Sequence, residues 1–204
     1  MKAIILTILA ALLFTFTSCS DKKDQVSTTK TTGQEHEMSS MNHAGMPESD
    51  VKVIESPKNL KADFTELYSH YQYLTSALAS DDDKEAANGA NGILQALAKV
   101  DKVALSADQA KEYADLEADM KEHAEHIKEN IGNIKHQREH LDLLSQDFYE
   151  IATKFGTGKT LYKIHCPMYN ENKGAYWIST SKEVKNPYYG QEMISCGVVQ
   201  EEIK

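Results

Sequence analysis

The chain has 204 residues, with 22 Lys and Arg against 31 Asp and Glu, a formal net charge of −9. That acidic balance excludes a nucleic-acid binder, because phosphate contacts need a basic face. A hydrophobic content of 41% with 26% charged residues fits one soluble domain with an extension and excludes a polytopic membrane protein.

The first segment is an address. Lys2 precedes an apolar run from Ala3 to Phe14 that ends at Phe16-Thr17-Ser18-Cys19. The run is shorter than the roughly 20 residues a spanning helix needs, and it fits a secretory h-region. Phe16-Thr17-Ser18-Cys19 resembles a bacterial lipobox, with Phe16 where Leu is usual. That implies a signal peptide over residues 1–18 and a lipidated Cys19, anchoring the chain to a membrane of the cell envelope.

Residues 19–56 show no period and are rich in Ser, Thr, Lys and Glu, the composition of a disordered tether. Within it His36, Met38, Met41, His43 and Met46 cluster. Thioethers on a solvated tether have no core to fill. With imidazole they suit Cu(I) and Ag(I), for which this segment is a candidate collector.

The body reads as four amphipathic helices. Ser56-Pro57 reads as a cap and a first helical position. Leu60, Phe64, Leu67, Tyr71, Leu74 and Leu78 then follow helical steps. Asp81-Asp82-Asp83 ends this helix and caps the next, whose stripe is Ala86, Ala90, Ile93, Leu97 and Val100. Ser106 caps a third helix carrying Tyr113, Leu116, Met120, His123 and Ile127. Gly132-Asn133 breaks it, and a fourth stripe runs from Ile134 through Gln137, Leu141, Leu144, Phe148 and Ile151 to Phe155, with Gly156 as terminator. Short connections imply an antiparallel four-helix up-and-down bundle over residues 57–156. Residues 157–204 carry three β-like runs, at 160–165, 175–179 and 196–200, separated by turn-rich segments. The expected fold is therefore mainly α, with a small β-rich cap packed on the bundle.

Two groups of side chains carry the chemistry. Cys166 and Met168 mirror Met193 and Cys196, with His165 alongside; these sulfurs converge if the first and third β runs pair. A sulfur-rich set selects Cu(I) or another soft ion. The same two cysteines also read as a disulfide stapling the cap, worth about 3 kcal/mol for a loop of this length. The second group is helical. His126 lies seven residues before Asn133 and His140 seven after it, so an antiparallel hairpin sets them at one height. With His136 they form a candidate second metal site.

Enzymatic readings fare worse. His136-x-x-Glu139-His140 has the pattern of inverted zinc proteases, but three fixed positions in five are a weak signal. A di-iron bundle needs Glu three residues before His, and none of the helical histidines has it. No Cys-x-x-Cys-His haem motif is present, and Gly156-Thr-Gly-Lys-Thr160 lacks a preceding strand. The expectation is a protein with no catalytic role and no organic cofactor.

Cys166-Pro-Met168, Gly174-Ala-Tyr-Trp177, Asn186-Pro-Tyr-Tyr-Gly190 and Met193-Ile-Ser-Cys196-Gly197, with His136-Gln-Arg-Glu-His140 upstream, resemble a bacterial domain family of undefined function. Its members occur as periplasmic lipoproteins and fused at the C-terminus of copper/silver efflux adaptors. The resemblance covers about residues 57–202. It implies an envelope setting and a heavy-metal efflux adaptor as partner. Together these point to a lipid-anchored envelope protein that binds Cu(I) or Ag(I), for sequestration or hand-over to an efflux system. The alternative is a disulfide-stapled interaction module that docks on the adaptor without binding metal.

Overall fold

The computed structural model describes residues 51–58 and 62–204. The signal-like segment, Cys19, Leu60 and the tether residues His36, Met38, Met41, His43 and Met46 lie outside those residues. The described chain is mainly helical with a small mixed four-stranded sheet. None of its helices is long and apolar enough to cross a membrane.

Four long helices follow one another: α1 (Thr65–Ala79), α2 (Asp83–Leu97), α3 (Ala107–Glu129) and α4 (Ile134–Phe155). Their ends are set by side chains that satisfy the free N–H groups of the first turn. Asp82 accepts from the Glu85 N–H at 3.0 Å. Ser106 and Gln109 form a reciprocal capping box opening α3. Asn133 accepts from the His136 N–H at the start of α4, and Gly156 ends that helix with φ of 92°. The helix stripes read from the sequence are buried: Leu67, Tyr71, Leu74 and Leu78 on α1, and Gln137, Leu141, Leu144, Phe148, Ile151 and Phe155 on α4.

The beginning of α1 departs from expectation. Ser56 caps no helix. Its N–H and its hydroxyl both donate to the Lys204 carbonyl, at 2.7 and 2.6 Å. The helix starts at Thr65, where Asp63 accepts from the Thr65 N–H at 2.8 Å.

Aromatic rings fasten α1 to α4. Phe64 meets Phe155 edge-on at 5.7 Å, Tyr68 meets Phe148 at 5.7 Å, and Tyr71 lies 4.1 Å from Phe148. Such contacts add to simple area burial. Tyr71 also reaches the sheet. Its hydroxyl pairs with Ser145 Oγ at 2.7 Å and accepts from the Ile178 N–H at 3.2 Å. Gln72 completes the joint, donating to the Ile178 carbonyl at 2.9 Å and accepting from the Thr180 N–H at 3.2 Å.

The sheet contains β1 (Lys52–Ile54), β2 (Leu161–Cys166), β3 (Ala175–Ser179) and β4 (Val198–Ile203), in the order β1-β4-β2-β3. β2 pairs antiparallel with both β3 and β4, and β1 lies parallel to β4. All three β runs read from the sequence are strands. β1 was not foreseen: it falls in the stretch that reads as tether. Three residues have no period of their own, and they become a strand only because β4 offers an edge. Between β2 and β3 a short turn, α5 (Tyr169–Asn172), holds Asn170, Glu171 and Asn172 at φ of 50°, 57° and 64°. Asn tolerates this left-handed region; Glu171 does so at a cost in backbone strain.

Candidate metal centres

The pairing of β2 with β4 brings the two cysteines together. His165 stands opposite Val198, so the strand ends carry Cys166 and Cys196 to the same place. Their Sγ atoms are 3.2 Å apart, and both are free thiols. Cys166 is fully buried and Cys196 half-buried. Burial first, then the adjacent thiol, pushes Cys196 up to about 11. Asn186 builds the wall of this site. Its side chain donates to the Cys196 carbonyl at 2.7 Å and accepts from the Tyr188 and Tyr189 N–H groups at 2.8 and 3.2 Å. Tyr189 stands beside the pair, its phenol raised by burial and then by the two thiols.

Met168 and Met193 flank the two cysteines in sequence. Met168 is 45% exposed, two residues beyond Cys166, and its carbonyl accepts from the Tyr189 hydroxyl at 2.9 Å. Met193 is half-buried, and its carbonyl accepts from the Cys196 N–H at 2.9 Å. His165 is not brought to the thiols. Neighbours on a strand project to opposite faces, and the His165 ring lies instead against Gly174, where any Cβ would collide with it. The ligand set read from the sequence therefore loses His165.

The helical histidines do converge. His126, His136 and His140 each offer a ligand nitrogen, all within 4.8 Å of one another. His126 stacks on His140 at 4.1 Å with the rings 5° from parallel, and His136 lies 4.6 Å from His140. The seven-plus-seven spacing about Asn133 produces this meeting, because α3 and α4 run back along each other from that turn. His123, which reads as a core position, joins the group: its Nδ1 is 3.2 Å from His140 Nδ1. Burial, then the neighbouring imidazoles His126, His136 and His123, lowers His140 to about 4. Burial likewise lowers His123. Glu139 is engaged by His136, at 3.2 Å from its Nδ1.

Further along the same two helices Asp147 Oδ2 is buried without a hydrogen-bond partner among the described residues. Burial, then Asp119 and Glu150, pushes this carboxyl up to about 7. The folded form therefore holds a proton that the unfolded chain, near its ordinary 3.8, has released. Stability contributed by this group is present at low pH and declines as pH rises toward 7. Asp147→Asn is expected to stabilise the fold by about 1–2 kcal/mol at pH 8, a figure reduced for partial exposure. The gain should vanish near pH 4, as read from urea unfolding at the two pH values. An equal gain at both would disprove it.

Residues 67–160 match the model of a family described as a protein of unknown function (DUF3347). No curated protein and no solved structure matches the chain. The matched stretch runs from α1 to the approach of β2. It contains all four clustered histidines and ends before Cys166.

Proposed function

We propose that this is a lipid-anchored cell-envelope protein that binds a soft metal, Cu(I) or Ag(I), and sequesters it or passes it to an efflux system. The observation that carries the reading is the pair of free thiols, Cys166 and Cys196, 3.2 Å apart. In a disulfide the sulfurs would close to about 2.05 Å. Two thiolates sharing one tetrahedral ion stand about 3.8 Å apart, given bonds of about 2.3 Å. The pair sits between these states, so a metal needs only a small opening. Met168 and Met193, two and three residues from the thiols in sequence, would supply thioethers, and soft donors of this kind favour Cu(I) and Ag(I). The four helices serve as an antiparallel up-and-down bundle that carries the cap, and the tether's His and Met residues act as a collector.

The test uses full-length protein, reduced under anaerobic conditions, with Met38, Met41 and Met46 replaced by Leu to silence the tether. It should bind about one Cu(I) per chain against a competing chelator, and Cu(I) should protect both thiols from alkylation. Met168→Leu and Met193→Leu should weaken binding without loss of fold, because Leu keeps volume and lacks the soft donor. If the chain as isolated contains no free thiol at Cys166 and Cys196, and reduction melts it, the metal reading fails. The pair is then a staple, and the interaction module takes its place.

A further inference from the structure

We infer that the α3–α4 hairpin carries a second metal site, distinct from the thiol pair, in which His126, His136 and His140 bind one borderline divalent cation of the Zn(II) or Cu(II) class, with Glu139 and His123 orienting two of the ligands.

His136 Nδ1 lies 3.2 Å from Glu139 Oε2. A neutral imidazole so placed donates Nδ1–H to the carboxylate, which leaves the Nε2 lone pair outward. His140 Nδ1 lies 3.2 Å from His123 Nδ1. One of these two must donate, and when His140 does so its Nε2 also carries a lone pair. Metal-bound histidines are characteristically held this way, with the second ring nitrogen donating to an outer partner.

The helix geometry supplies the remaining terms. His136 and His140 are four residues apart, hence on one face of α4. His126 faces them from α3, exposed and stacked on His140. Ligand nitrogens on one tetrahedral ion stand about 3.4 Å apart, given bonds of about 2.0–2.1 Å. The three histidines already lie within 4.8 Å of one another, so side-chain rotation alone can close the set. Three imidazoles with one open position suit Zn(II) and Cu(II), whereas the thiol pair is a soft site. Gln137 of α4 already donates to the Ile127 carbonyl of α3 at 3.0 Å, and a bound ion would add a second tie between the two helices.

The experiment titrates full-length, reduced protein with Co(II) and Zn(II), in a background with His36 and His43 replaced by Ala. Co(II) should give tetrahedral d–d absorption without a thiolate charge-transfer band, and Zn(II) should displace it at one ion per chain. His126→Ala decides the matter, because that exposed side chain can be removed without disturbing the core; it should weaken Zn(II) binding at least about 100-fold. Glu139→Gln should weaken it about 10–100-fold while three-histidine coordination persists, as outer partners generally do. Zn(II) at a hundredfold excess over its dissociation constant should raise the Tm by about 5–10 °C. Cys166→Ser and Cys196→Ser should leave all of this unchanged, which separates the result from the fate of the thiol site. The inference is overturned if His126→Ala and His136→Ala bind Zn(II) as the parent does, or if the Co(II) spectrum reports thiolate.

Discussion

Arg138→Ala is expected to cost the fold about 3–4 kcal/mol and to lower Tm by about 10 °C in a circular-dichroism melt. The side chain is 13% exposed and joins three parts of the molecule. Its Nε donates to the Pro187 carbonyl at 2.8 Å; Nη2 donates to the Leu78 carbonyl at 2.9 Å and to Asp81 Oδ1 at 2.6 Å. Asp81 in turn accepts from the Gln191 N–H at 2.9 Å. Removing the guanidinium takes the side-chain donor from the Pro187 carbonyl. It also takes one donor each from Leu78, which keeps the Asp81 N–H, and from Asp81, which keeps the Gln191 N–H. Each hydrogen bond to a charged group lost in this way costs about 1.5–3 kcal/mol where it is buried. Arg138→Lys keeps the charge but not the fork, and should recover only part of the loss. Because the 187–191 loop leads to Cys196, the Ala variant should also alkylate faster at that thiol. A loss below about 1 kcal/mol would show that the loop is held by its apolar contacts alone.

Replacing either cysteine should lower Cu(I) affinity more than about 100-fold, since loss of even an outer partner costs about 10–100-fold. The two variants should differ in stability. Cys166 is fully buried at the end of β2, so Cys166→Ser buries a hydroxyl there and costs about 1–2 kcal/mol. Cys196 is half-buried, and Cys196→Ser should fold as the parent does. Chelator competition and urea unfolding on the same samples separate ligand loss from misfolding. Undiminished Cu(I) binding by Cys196→Ser would sink the thiol site.

Helix stripes, caps and the Gly156 terminator were legible because each is a local signal of 3.6-residue period or cap chemistry. Cys166 and Cys196 were legible as a pair because they flank the cap in mirrored blocks, and they meet because the first and third β runs, β2 and β4, do pair. The first strand and the true start of α1 were not, because they depend on a partner far away in sequence: Ser56 answers Lys204, and β1 answers β4. His165 misled because adjacency in sequence was read as adjacency in space. The Asn186-Pro-Tyr-Tyr-Gly190 block proves architectural. Asn186 folds its own loop, Tyr188 donates to the Tyr176 carbonyl at 2.6 Å, and a Cβ on Gly190 would strike Asp81 and Arg138. His123 and Tyr189 gain meaning only from what stands across from them, His140 for the one and the two thiols for the other.

The clip between Ser56 and Lys204 has a spatial consequence. Ser56 and Lys204 follow the parallel strands β1 and β4 out of the sheet together, beside the Thr157–Thr160 turn that follows α4. His136 and His140 lie at the opposite end of α4. Sixteen residues separate His140 from Gly156, which at about 1.5 Å per residue is about 24 Å. Cys166 likewise lies at the end of β2 remote from Leu161, which pairs with Ile203. Because β1 runs parallel to β4, its first residue, Lys52, points toward the Cys166 end of the strands, and only its exit at Ser56 meets Lys204. A fluorophore or fusion attached after Lys204 would sit at the clip, away from Cys166 along β2 and from His140 along α4, and leave both sites open to whatever approaches them.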